Sequence, residues 1–146
     1  MTTPAATDYP VGLSRVAYHE EVGRVHRAVG AQLVAATLAS QYLWIASFKG
    51  QVCDLTIGIS ALAASGESMV FDVLKNGVSI LSSTYTVDST ITTKEVIDLF
   101  SRLTAAGKSF VEGDVYTVAR TYTAGGGPTP LGATVVIMEP SVGPYT

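Results

Sequence analysis

The stretch Phe71-Asp-Val-Leu-Lys-Asn-Gly-Val-Ser-Ile-Leu81 decides how this chain folds. Asn76-Gly77 lies between two short apolar runs and supplies the two positive-φ residues of a type I′ turn. A two-residue turn sets the register. Lys75 faces Val78, Leu74 faces Ser79, Val73 faces Ile80, Asp72 faces Leu81 and Phe71 faces Ser82. Side chains alternate across a strand, so Phe71, Val73 and Ile80 share one face while Val70, Leu74 and Leu81 share the other. A sheet that covers one core needs a single apolar face. The second face implies burial against another body, most simply another subunit. Val70, Leu74 and Leu81 are therefore the predicted subunit interface.

Strand signals continue on both sides of the hairpin. Gln32 to Leu38 and Tyr42 to Phe48 read as strands. Gln51 to Leu62 has the cleanest period of two, with Cys53, Leu55, Ile57, Ile59 and Ala61 on one side. This places Cys53 in the core as a small buried hydrophobe. Thr92-x-x-Glu95 matches a capping box, and Val96, Leu99, Phe100 and Leu103 follow at helical spacing. A short helix over Thr93 to Leu103 is predicted, ended by Gly107, with Asp98 and Arg102 paired on its outer side. Val115 to Tyr122 and Ala133 to Met138 read as the last strands. Short strands separated by turns at this spacing predict an all-β jelly-roll sandwich with one short helix. The expected organisation is an extended N-terminal arm over residues 1–27, the sandwich over 28–139, and a C-terminal tail over 140–146.

Composition narrows the function. Of the 146 residues, 47% are hydrophobic and only 14% charged, against about a quarter charged in ordinary domains. So few charges on a small domain point to surface hidden in an assembly. The net charge of −3 and a pI near 5.2 give no footprint for nucleic acid. No apolar run reaches the ~20 residues that span a bilayer, and the first residues lack the pattern of a signal peptide. Production and use without membrane export are expected. The single cysteine excludes an intrachain disulfide and a cysteine-based metal site.

Catalytic chemistry has little to stand on. His19-Glu20-Glu21 fits no zinc spacing. No serine elbow occurs. Gly125-Gly-Gly lacks the Lys and Ser/Thr of a phosphate loop. Asp54, Asp72 and Asp114 sit on or beside strands, and nothing in their spacing brings two together as a glycosidase requires. No catalytic residue, cofactor site or metal site is assigned. Tyr42, Trp44, Tyr116 and Tyr122 offer rings for stacking on sugars, or anchors for a core or an interface. In the arm, Tyr9, Val11, Leu13, Tyr18 and Arg24 are the predicted contacts to a neighbour.

The order of these motifs carries a resemblance. An alternating strand from Val52 to Leu62 leads through Ser-Gly to Val-Phe-Asp-Val-x-Lys-Asn-Gly-Val-Ser-Ile-Leu. Glu112-Gly-Asp-Val-Tyr-Thr-Val118 follows, and then Leu131-Gly-Ala-Thr-Val-Val-Ile137. Over roughly residues 40 to 138 this resembles the jelly-roll domains of tailed-bacteriophage structural proteins, capsid decoration (cement) proteins in particular. It is also similar to the trimeric C1q/TNF type of jelly roll. The resemblance implies a homotrimer on the capsid exterior of a virion, made in the host cytoplasm, whose partner is the major capsid protein. A receptor- or glycan-binding module of a head or tail fibre is the alternative it leaves open. The motifs build hairpins and turns, so the resemblance assigns no chemistry to any residue. Two departures stand out: the predicted helix enlarges the linker before Gly113-Asp114, and the arm is longer than a bare jelly roll needs.

Overall fold

The computed structural model describes residues 29–126 and, as backbone, residues 134–142. It is an all-β sandwich of two antiparallel sheets. The first sheet holds β1 (Val29–Leu33), β3 (Gly50–Ile59), β7 (Val96–Asp98), β8 (Ser109–Phe110) and β10 (Thr134–Val142). Its order is β1-β10-β3-β7, with β8 also on β3. The second holds β2 (Leu38–Ile45), β4 (Ser68–Lys75), β5 (Val78–Ser79), β6 (Tyr85–Asp88) and β9 (Val115–Thr123), in the order β2-β9-β4-β5, with β6 also on β4. The first and last of the described strands, β1 and β10, pair, as do β2 with β9, β3 with β7, and β4 with β6. This nesting is the jelly roll predicted from the turn spacing.

The hairpin at Asn76-Gly77 forms as its turn chemistry dictates. Asn76 has φ 52° and Gly77 φ 81°. Lys75 pairs with Val78 and Leu74 with Ser79. The Ile80 amide then donates to the Val73 carbonyl at 2.9 Å. Beyond that point the register ends. Phe71 pairs with Tyr85 of β6 instead of Ser82, and Leu81 bridges to Leu103.

Alternate residues of β4, Met69, Phe71 and Val73, enter a core shared with Leu33, Leu55, Ile57, Val87 and Val118. One end of that core is aromatic. The Trp44 ring lies 4.9 Å from Phe110, edge on, and 5.8 Å from Tyr116, stacked. Such contacts add ~1 kcal/mol each to the burial of the rings.

Four expectations are corrected. The run read as one strand from Gln32 to Leu38 is broken by a turn, closed where the Ala36 amide donates to the Val34 carbonyl at 2.8 Å. The helix expected over Thr93 to Leu103 is strand β7 followed by a 3-10 turn, Phe100–Arg102. The only α-helix among the described residues is α1 (Ala105–Lys108), which contains Gly107 instead of ending at it. Ile57 pairs with Ile97 on the sheet edge, and the Leu99 amide reaches the Leu55 carbonyl at 2.8 Å. Arg102 accordingly leaves Asp98. Its guanidinium donates to Ser83 Oγ and the Thr84 carbonyl and lies 5.1 Å from the Tyr85 ring.

Cys53 is exposed, not in the core. Asp54 pairs with Glu139 and Val52 with Pro140, so Cys53 is an extra residue in β3. Such a bulge resets the alternation, and Val52 and Leu55 both point inward. The same irregularity admits Pro140, which cannot donate to a ladder. β10 therefore runs on to Val142, opposite Gly50, three residues into the expected tail.

Candidate functional site: the outer face of the second sheet

The residues of β4 that turn away from the core are Val70, Asp72 and Leu74. Val70 aligns with Thr121 of β9 and Thr86 of β6, Asp72 with Ala119, and Leu74 with Thr117. Thr117 in turn aligns with Tyr42 of β2, and Val115 with Ile45. The resulting surface is built of small and apolar groups. Tyr42 is 71% exposed and Ile45 56%, while Val70, Leu74 and Ala119 are half-buried. Asp72 is the one charged side chain among these residues, and its Oδ1 accepts from Ser79 Oγ at 2.8 Å. A shallow groove of about 280 Å3 crosses the face, lined chiefly by Leu38, Ala39, Val70, Asp72, Ala119 and Thr121. On the opposite sheet, the outward positions Thr56 and Gly58 lie beside Asp98 and the exposed Val96.

Val70 and Leu74 thus lie where the hairpin register placed them. Leu81 does not. It is only 6% exposed, because its bridge to Leu103 folds it into the protomer's own core. It is withdrawn from the predicted interface. Trp44 and Tyr122 are half-buried and Tyr116 is fully buried, so of the four aromatics considered for stacking only Tyr42 presents its ring. Tyr9, Val11, Leu13, Tyr18 and Arg24 lie outside the described residues, as do His19 and His26. Among the described residues, no group of three or more His, Cys, Asp or Glu gathers to hold a metal ion, and no helix is long and apolar enough to cross a membrane.

Three polar devices were invisible in the sequence. Glu67, in a turn that reads as solvent-facing, is 2% exposed. Its carboxylate accepts from the Ala64 amide at 3.0 Å and the Tyr122 hydroxyl at 2.5 Å. That hydrogen bond to Glu67 pushes the Tyr122 hydroxyl above its ordinary pKa. Gly125 closes over this turn, where a Cβ would stand 2.6 Å from the Ser65 carbonyl oxygen.

The second device is Arg120, which is buried on the core side of β9. Its Nε donates to the Ala36 carbonyl at 3.0 Å and its Nη1 to Gln41 Oε1, while Gln41 Nε2 donates to the Gln32 carbonyl at 3.1 Å. The network ties the β1–β2 turn to the second sheet, and burial lowers the guanidinium pKa.

The third joins two turns. The Asn76 amide side chain donates to Asp114 Oδ1 at 2.8 Å and accepts from the Val115 amide at 2.9 Å. Asp114 Oδ2 accepts from the Val111 amide at 2.9 Å. The Val111 amide, with the Asn76 side chain behind it, holds the Asp114 carboxyl below its usual range. A single Asn-Gly predicts the turn, but nothing in the chain signals which distant carboxylate its side chain will meet.

No family model matches the sequence, and no curated protein matches it. Among solved structures the fold is similar to a chain from Desmodium yellow mottle tymovirus, at 11% identity, covering 100% of this chain and 93% of that one with a TM-score of 0.36.

Proposed function

We propose that this chain is a structural protein of a virion, a jelly-roll module that self-associates as a homotrimer and decorates the outside of a bacteriophage head. The observation that carries the self-association is the outer face of the second sheet, where Tyr42 and Ile45 stand exposed beside Val70, Leu74 and Ala119 and the charged side chains are Asp72 and Asp88. The motif order from Val52 to Ile137 supports the virion setting. The role needs no reaction, cofactor or metal. Its mechanism is additive burial. A contact that removes several hundred Å2 of apolar surface is worth several kcal/mol at ~25 cal/mol per Å2, before ordering costs. Linking three copies multiplies the gain through effective concentration. The arm, with Tyr9, Val11, Leu13, Tyr18 and Arg24, would cross onto the shell of major capsid protein or onto a neighbouring subunit.

Purified protein mixed with undecorated phage heads should co-sediment with them, at hundreds of copies per head. Failure to bind heads overturns the virion reading, and a few copies per particle would favour the fibre module. The glycan-binding alternative gains nothing from the fold, since Trp44, Tyr116 and Tyr122 pack inward and only Tyr42 is well exposed.

A further inference from the structure

We propose that the groove on the second sheet is filled by the N-terminal arm of a neighbouring copy of this chain. The inference deepens the assembly part of the proposed function by naming donor and acceptor, and it does not depend on the virion.

The groove needs an occupant of a definite kind. It is lined by the aliphatic groups of Leu38, Ala39, Val70 and Ala119, with Asp72 as its one acid and Arg120, already bound to Ala36 and Gln41, as its one base. An extended segment with apolar side chains and a nearby cation fits it. Tyr9-Pro-Val-Gly-Leu13 puts an apolar group at every second position, and Arg15 follows two residues later. Alternation of that kind lays one apolar edge along a sheet.

Length lets the arm reach beyond its own protomer. Residues 1–28 precede the described start of β1, and at ~3.3 Å per residue they reach up to ~90 Å. The ten residues of β3, the longest strand, span only ~33 Å. β1 runs from Val29 toward Leu33, and the turn that follows leads directly to Leu38 at the groove. Val29, where the arm leaves the sandwich, is the end of β1 remote from that turn. An arm of this length can leave its own protomer and meet a neighbour's groove.

The arrangement also suits a ring. Cyclic trimers close through head-to-tail contacts, in which one surface of each copy meets a different surface of the next. An arm and a groove are such a pair. Two exposed strand faces meeting each other would instead favour a two-fold dimer.

Disulfide trapping in purified protein, without heads, tests this. In a Cys53→Ser background, one tagged chain carries a cysteine at position 9, 11, 13 or 18 in turn (as Val11→Cys), and a second chain with a different tag carries Ala119→Cys. Mixed and oxidised, the two should form a covalent heterodimer that reducing agent dissolves. Placing both cysteines on one chain should give a ladder ending at three. A ladder ending at two keeps the arm exchange and removes the threefold reading. An exclusively intramolecular crosslink, or no crosslink from any of the four arm positions, overturns the proposal. Head binding that survives such a failure leaves the virion reading standing.

Discussion

At the scale of single residues, the balance turns on polar atoms inside the sandwich. The Tyr116 hydroxyl is buried with no hydrogen-bond partner among the described residues, and desolvation raises its pKa well above that of a free tyrosine. Tyr116→Phe removes an unmet donor while keeping the ring that stacks on Trp44. We expect the variant to gain up to ~1 kcal/mol, seen as an unchanged or higher thermal midpoint. A fall in the midpoint would show that the hydroxyl has a use. Tyr122→Phe should act oppositely. It takes a donor from the buried Glu67 carboxylate, and the urea midpoint should fall. Both differences arise from partners far away in sequence. Glu67 sits in a turn whose Ser-Gly-Glu composition reads as solvated, and only the approach of Tyr122 and Gly125 converts it to an interior residue.

Elements show what local chemistry settles and what pairing overrides. Asn76-Gly77 dictates its own hairpin because its backbone geometry is a property of two residues. Leu99 and Leu103 are buried as a helical stripe requires, but Ile97 and Leu99 also satisfy a period of two. The open edge of β3 decides for the strand. Cys53 is a similar case: its direction depends on where β10 shifts register, which β3 alone does not reveal. The clip between the hairpin turn and the Asp114 turn gives a pH test. Asp114 has a depressed pKa in the folded state, so its contribution is present above the unfolded value of about 4 and is lost as pH falls through the folded value. Asp114→Asn should therefore lower stability at neutral pH and flatten the acid limb of a stability–pH curve. Equal slopes in both proteins would contradict the clip. Gly107 offers a packing test, since a Cβ there would lie 2.7 Å from Ile80 Cβ. Gly107→Ala should cost about 1–3 kcal/mol by overpacking, read from denaturant midpoints.

At the scale of the whole molecule, the outward placing of Val70 and Leu74 on the second sheet was legible in the hairpin before any strand was placed. The inward and outward sets of β4 follow from its alternation, and only Leu81, beyond the end of the ladder, was assigned to the wrong side. Light scattering should find the intact protein self-associated. Val70→Lys and Leu74→Lys should keep the circular dichroism of a β-sandwich while shifting the mass toward one chain. A monomeric parent protein would remove the reason for the apolar face. The pairing of β1 with β10 has a consequence for synthesis. Val29 finds its partner only when Met138 has been made, so a growing chain on the ribosome cannot close its first sheet until more than a hundred further residues have been added. Until then β1 has no strand joining it to β3, and folding belongs to the slow regime of distant contacts.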